Sequence, residues 1–219
     1  MGGWLRFPTR AGVPMAQRTR FFDEATLAAV ADGVRQVVIL GAGYDGRALR
    51  FAHPGVHFYE VDHPRTQADK RHRLLAVGAD LSSTTLIGAD LTDGRLVDHL
   101  RSAGFDEEEP SLFTCEGLLP YLSRDANVAL LSSAGSIAAP GSRLAVNFHV
   151  RPPVAGVRDR VVRRAVDGLL AAIGEPRRSA FAPGDPERLL ADAGWKVACT
   201  STGDREGDLG HGLWVIAHP

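Results

Sequence analysis

Cysteine is nearly missing from this chain: Cys115 and Cys199 are the two thiols in 219 residues. They offer neither a disulfide framework nor the close pairing of a metal site, and they fit reduced thiols in a cytoplasmic protein. Lysine is as scarce, at two residues within a Lys+Arg total of 25. That imbalance reads as a coding bias toward GC-rich codons more than as a binding surface. No basic excess exists either, since the formal net charge is −1, which speaks against generic nucleic-acid binding. No apolar run approaches the ~20 residues of a membrane span. The stretch Met1–Gln17 carries Arg6 and Arg10 but no apolar core, so no signal peptide is expected there. What remains is ordinary globular composition, 44% hydrophobic and 23% charged, enough for one well-buried core. We therefore read residues 1–219 as a single domain with no metal site.

Against that background one stretch stands out, Gln36–Arg50, or Q-V-V-I-L-G-A-G-Y-D-G-R-A-L-R. The apolar run Val37–Leu40 breaks into Gly41-Ala42-Gly43, and a helix-compatible segment follows from Arg47. Glycine suits such a turn because the backbone must adopt unusual φ values and let a nucleotide come close. About twenty residues on, a second apolar run, Val56–Val61, ends at Asp62, where an acidic tip can accept from ribose hydroxyls. The pattern predicts a nucleoside-containing cofactor. Gly41-x-Gly43-x-x-Gly46 also satisfies the dinucleotide fingerprint, so an NAD(P)-dependent oxidoreductase is one alternative. Asp45, however, places a carboxylate where a pyrophosphate would sit, and S-adenosylmethionine, which has no phosphate, suits an acidic loop better.

Periodicity predicts a leading helix over Phe21–Val34, with Leu27, Val30, Ala31 and Val34 on one face, within an N-terminal helical segment spanning 1–34. Strands are expected at Val37–Leu40, Val56–Val61, Thr84–Gly88, Ser111–Cys115 and Arg143–Phe148. Helices are expected from Arg47, from Pro64 to Val77, over Gly94–Ala103 and over Asp125–Ala138. This alternation predicts parallel βαβ crossovers in a doubly wound sheet. Residues 151–184 are arginine-rich and read as a connecting or lid segment. A short helix, Pro186–Ala193, then leads to Trp195–Ser201 and Leu213–Ala217, joined by a loop too short for a helical crossover. That last pair is expected to be an antiparallel hairpin.

Four stretches, in order, resemble one family: Arg18-Thr19-Arg20-Phe21-Phe22-Asp23, Leu40-Gly41-Ala42-Gly43-Tyr44-Asp45, Tyr59-Glu60-Val61-Asp62 and Glu116-Gly117-Leu118-Leu119-x-Tyr121. Together with Gly174-Glu175-Pro176 and the helix end Leu189–Trp195, they are similar to the leucine carboxyl methyltransferases, in particular the bacterial branch acting on small molecules and polyketides. The resemblance implies a class I methyltransferase fold: α/β, Rossmann-like, with a mostly parallel seven-stranded sheet and an antiparallel C-terminal strand. It also implies S-adenosyl-L-methionine as cofactor. By position, Arg18 would meet the methionine carboxylate, with Arg20 the second choice, and Gly41, Ala42 and Gly43 would let the backbone approach. Asp62 would hold the ribose, Asp90 with Leu91 the adenine edge, and Glu116 the methionine ammonium or the architecture of the site. Relative to the family, the chain is short before Arg18 and after strand five, the regions that shape the substrate pocket.

The expected function is O-methylation of a small-molecule carboxylate in secondary metabolism, by a cytoplasmic enzyme. A carboxylate with a pKa of about 4 is ionised at neutral pH and needs no general base, whereas a phenol near 10 would want one. Tyr121 and His149 are the catalytic candidates, although a packed aromatic and a structural or solvated histidine are the more ordinary readings. Cys115 reads as a core residue, and Glu60 as making a structural hydrogen bond. Arg158, Arg160, Arg163 and Arg164 read as a solvated helix face or as an anion-holding lid. Expected partners are a small-molecule acid and a second copy in a homodimer, with no nucleic acid and no membrane. A non-catalytic, methyltransferase-like accessory protein is the reading outside enzymology.

Overall fold

The computed structural model describes residues 12–151, 178–179, 181–202 and 211–219, with four isolated positions between 161 and 168. Along the chain run α1 (Gly12–Ala31), β1 (Gln36–Leu40), α2 (Arg47–Arg50), β2 (His57–Asp62), α3 (Pro64–Ala76) and β3 (Thr84–Gly88). Then follow α4 (Leu96–Ser102), β4 (Ser111–Cys115), a single 3-10 turn at Leu119–Tyr121, α5 (Arg124–Ser136) and β5 (Arg143–Val150). After these come α6 (Asp185–Asp192), β6 (Lys196–Thr202) and β7 (His211–His218). Local chemistry explains several boundaries. Pro64 opens α3, where its missing N–H does no harm. The Ser123 hydroxyl caps α5 by accepting from Ala126 N.

Among the described residues, seven strands form one sheet in the order β3-β2-β1-β4-β5-β7-β6. β1 to β5 pair in parallel, and β7 runs antiparallel to both β5 and β6. The expected mostly parallel sheet and the closing hairpin are therefore both present. β1 lies between β2 and β4, so the chain order reverses there and opens a crevice beyond the C-terminal strand ends. β1 is buried along its whole length. Its alternate residues serve two layers: Val38 and Leu40 pack with α4, α5 and α6, while Val37 and Ile39 pack with α1 and Phe58.

The leading helix departs from the expected one in extent and in face. It begins at Gly12, and its buried stripe runs through Phe22, Thr26 and Ala29, with Phe21, Ala25 and Val30 beside it. Leu27 points the other way and is 51% exposed, and Ala31 is exposed as well. The stripe includes a polar residue because the Thr26 hydroxyl donates to Phe22 O at 2.8 Å, satisfying itself within the helix. Val34 is buried and Val30 packs beside the stripe, as expected; hydropathy ranks leucine above threonine and so put Leu27 on the buried side in place of Thr26. Several strands also run further than expected, two of them informatively. Gln36 joins β1 because its side-chain amide bonds the backbone of Asp106 in both directions, at 2.7 and 2.8 Å. β5 continues to Val150, so His149 lies within the strand, opposite Gly212 of β7, and does not follow it. Most of the 151–184 segment, including Arg158, Arg160 and Arg163, lies outside the described residues.

The corrected face has a direct consequence for stability. Phe22→Ala should cost about 3–5 kcal/mol through the cavity it leaves, whereas Leu27→Ala should stay within about 0.5 kcal/mol of wild type. Urea unfolding of the two variants would check this, and similar losses would put the helix in the other register.

Candidate functional site

At the crevice, the turn after β1 folds back over the end of β2. Gly41 N and Ala42 N both donate to Val61 O, at 2.9 and 3.2 Å. The Asp62 carboxylate then closes the turn: one oxygen accepts from Gly43 N at 2.7 Å, the other from His63 N at 2.6 Å. Two glycines are needed here for different reasons. Gly41, at φ +70°, could not carry a Cβ, which would lie 3.1 Å from the Leu118 side chain. Gly43, at φ +47°, faces open space, since a Cβ there would meet nothing within 4 Å. The backbone at Gly43 is thus bare on that side.

The other side of the turn is built from charge. Arg47 opens α2 and is 3% exposed, yet every polar edge of its guanidinium is matched. Nε donates to Asp23 at 2.7 Å, Nη1 to Asp45 at 2.5 Å and to Glu116 at 2.7 Å, and Nη2 to Thr19 O at 3.3 Å. The second Glu116 oxygen accepts from Arg18 Nε at 2.8 Å, and Arg50 grips Asp23 through two bonds of 2.8 Å. Burial alone would lower the Arg47 pKa, but the charges of Asp45 and Glu116 and the bonds to its carboxylate partners outweigh it and raise the value. Burial likewise pushes the Asp23 carboxyl upward, and the bonds from Arg50 and Arg47 overcome that and hold it below its ordinary value. These groups wall a cavity of about 300 Å³. Its lining includes Arg18, Gly41, Ala42, Gly46, Arg47 and Glu116.

Four of the expected site residues, Arg18, Gly41, Ala42 and Glu116, therefore meet in one cavity, and Gly43 and Asp62 adjoin it through their mutual bond. Arg20 does not compete with Arg18, because it pairs with Glu24 on the exposed side of α1. Asp90 sits exposed beyond β3, its pKa lowered by bonds from the Thr92 hydroxyl and backbone N–H, and Leu91 is half-buried against the core. Neither lines this cavity, and nor do Tyr121, at the end of the 3-10 turn, and His149, in β5. Cys115 is fully buried, with its thiol pushed up to about 12 by burial, as a core residue should be. Among the described residues no cluster of metal-ligating side chains occurs.

Asp45 needs a correction. Its carboxylate is bonded by both the backbone N–H and the guanidinium of Arg47, so its charge is matched within the loop. The argument that it repels a pyrophosphate loses its force. Sequence reasoning also passed over Arg47 itself, together with Asp23 and Thr19. The one available signal was an arginine two residues after Asp45, in a helical turn whose next residue, Ala48, is apolar and buried.

Removing the central cation should be costly. Arg47→Met leaves three carboxylates in a partly desolvated cluster, and about 3 kcal/mol of stability should be lost at pH 7. The gap should narrow in acid. In the wild type the depressed Asp23 pKa contributes stability above the unfolded value of about 4, and this is lost as the pH falls through the folded value. In the variant Arg18 still holds Glu116 and Arg50 still holds Asp23, while Asp45 loses its guanidinium, and acid relieves the repulsion that this leaves among the carboxylates. Urea melts at pH 7 and pH 4 would test this, and a gap that is unchanged or widens would contradict it.

Comparison with known proteins places these features. The sequence profile of the family described as leucine carboxyl methyltransferase matches residues 4–135. A relative in Mycolicibacterium gilvum, named "Putative S-adenosyl-L-methionine-dependent methyltransferase", is 39% identical over 202 residues, covering 85% of this chain and 62% of that protein. One of the same name in Mycobacterium avium is 42% identical over 148 residues, covering 67% of this chain and 48% of its own. The chain thus spans about half to three fifths of the length of these relatives. Among solved structures, magnesium protoporphyrin IX methyltransferase from Synechocystis with bound SAH superposes with a TM-score of 0.61 at 17% identity, covering 99% of this chain and 89% of that one. A methyltransferase structure from Thermobifida fusca, also named as putative, gives 0.71 at 17% identity, covering 93% and 80%. At that identity the likeness concerns the fold, which is the class I methyltransferase fold. With its N-terminal portion through α5 matched by the profile, the chain belongs to the leucine carboxyl methyltransferase family.

Proposed function

We propose that the chain is an S-adenosyl-L-methionine-dependent O-methyltransferase acting on the carboxylate of a small molecule, of the polyketide or other secondary-metabolite kind. The observation that carries this reading is the opposed pair Arg18–Glu116 in the cavity wall, one turn away from the bare backbone at Gly43. An α-amino-acid group brings one carboxylate and one ammonium, and a guanidinium beside a carboxylate matches both. On this reading Arg18 holds the carboxylate of the cofactor and Glu116 its ammonium. Asp62 uses the remaining lone pairs of its oxygens for the ribose, and Asp90 with Leu91 borders the adenine. When bound, the cofactor supplies a methyl group already activated by its sulfonium. The residues of the chain then have to bind, align and exclude water. The names of the relatives and the family membership support the same activity.

A carboxylate acceptor is supported by the family and by the chemistry of the site. Among the described residues no histidine lines the cavity, and an ionised acid requires no proton to be removed. His149, held within β5 and half-buried, is kept as the base that a phenolic acceptor would use.

Two measurements test this. Asp62→Ala should weaken S-adenosylhomocysteine binding by about 1.5–3 kcal/mol through loss of charged hydrogen bonds, read by calorimetry. Affinity equal to wild type would remove the ribose assignment. For the acceptor, single-turnover methyl transfer at saturating acid should stay nearly flat from about pH 6 to 9, because the nucleophile is ionised throughout. His149→Ala should cost little in the same assay. A rate rising tenfold per pH unit, or a large loss in that variant, would replace the carboxylate by a hydroxyl acceptor with a general base and leave the cofactor assignment standing.

A further inference from the structure

Lys70 is one of only two lysines in the chain, and it lies buried on α3, 4% exposed. Its ammonium bonds the carboxylate of Glu60, which is 1% exposed on β2, and donates to Asp45 O at 2.7 Å. The second bond is the informative one, because Asp45 belongs to the glycine turn. All three polar groups of Asp45 are thereby tied: its N–H to Ala42 O at 2.8 Å, its carboxylate to Arg47, and its carbonyl to Lys70. No peptide bond among the described residues is cis, so the Gly46 N–H points opposite to the Asp45 carbonyl, away from Lys70. Asp45 and Gly46 both line the cavity, so Lys70 sets the plane of a peptide in its wall from outside it.

We infer that Lys70 is a positioning residue of the site, acting through the Asp45 carbonyl to hold the 45–46 peptide in the orientation that shapes the cavity for the amino-acid end of the cofactor. This rests on the cofactor reading above and adds a residue that never touches the ligand. A stabilising role for the ion pair alone is a poor account of Lys70. A buried pair gains little over apolar residues of the same size, whereas the bond to a loop carbonyl has no apolar substitute. Gln67 supports the arrangement, donating to Glu60 O at 2.9 Å and holding α3 against β2. The pair is dry, at 1% and 4% exposure, and burial pushes the Glu60 carboxyl above its ordinary value against the pull of Lys70.

The test separates the two bonds of the ammonium. Glu60→Gln removes the ion pair and keeps the donor on Asp45 O, while Lys70→Met and the double variant Glu60→Gln/Lys70→Met remove that donor. Calorimetry with S-adenosylhomocysteine should show affinity within about threefold of wild type for Glu60→Gln, and a loss of about tenfold for the Lys70 variants that fold, the size of one hydrogen bond. Equal losses in Glu60→Gln and the double variant would assign the effect to the ion pair and overturn the inference, as would wild-type affinity in the Lys70 variants. Failure of both Lys70 variants to fold would assign Lys70 to stability alone and overturn it too. Amide exchange at Asp45, whose N–H donates to Ala42 O, is the second readout: it should accelerate in the double variant and not in Glu60→Gln. Should the wild-type protein bind no S-adenosylhomocysteine, the cofactor reading fails, and the exchange rates alone decide the role of Lys70.

Discussion

The guanidinium of Arg47 is the constraint around which the site is arranged. A buried cation must be matched on every side, and Arg47 is matched by Asp23 and Thr19 of α1, Asp45 of the glycine turn and Glu116 beyond β4. Three separate parts of the chain therefore have to converge on one planar group. That convergence sets where α1 crosses the sheet, since Phe22 packs under the same guanidinium, 5.5 Å from ring centroid to Cζ. It also fixes Arg18, one turn earlier on α1, against the free oxygen of Glu116. The ion pairs are thus better understood as setting geometry than as adding stability, because desolvating so many charges cancels much of their attraction.

The glycine turn is held in the same way from its other side. Glu60 and Asp62 are two apart on β2 and so share a face of the strand. The buried member binds Lys70, which reaches up to Asp45 O, and the outer member accepts from Gly43 N. Arg47 and Lys70 therefore grip Asp45 by its two ends, its carboxylate and its carbonyl. Just before Asp45 the turn carries two glycines in left-handed conformations, the second held by the Asp62 carboxylate. A flexible loop made from flexible residues becomes a rigid wall because its neighbours leave it no alternative.

Much of this was legible in the sequence, and the boundary of legibility has a physical cause. Gly41, Gly43 and Asp62 could be read because turn chemistry and strand periodicity act over a few residues, and their spacing is a local signature. The parallel crossovers followed from the alternation of strand and helix, and the terminal hairpin from the shortness of its loop. Arg47 escaped because its partners lie as far as 69 residues away, and an arginine-rich sequence gives no reason to single out one arginine. Arg18 was found only through the resemblance, since its bond to Glu116 spans 98 residues. Of the face expected for α1, Val30 and Val34 do pack on the core, while Leu27 was misjudged because hydropathy cannot see the hydroxyl of Thr26 returning to its own helix. His149 was misplaced by a strand that runs on where β7 continues to offer partners.

The charge balance of the cavity bears on which ligands it suits. Three guanidiniums, Arg18, Arg47 and Arg50, face the carboxylates of Asp45 and Glu116, with Asp23 behind them bonded to two of the three. Counted together, three positive and three negative groups leave the wall neutral. A pyrophosphate entering such a wall would bring about two negative charges with no surplus cation to meet them, since each guanidinium already has a carboxylate. A zwitterion brings none in excess. Its carboxylate can take the side of Arg18 that Glu116 leaves free, and its ammonium can share Glu116 with Arg18 and Arg47, so no existing pair has to break. The case against a dinucleotide therefore does not lie in the single carboxylate of Asp45, which is spoken for. It lies in the completeness with which the whole network is already neutralised.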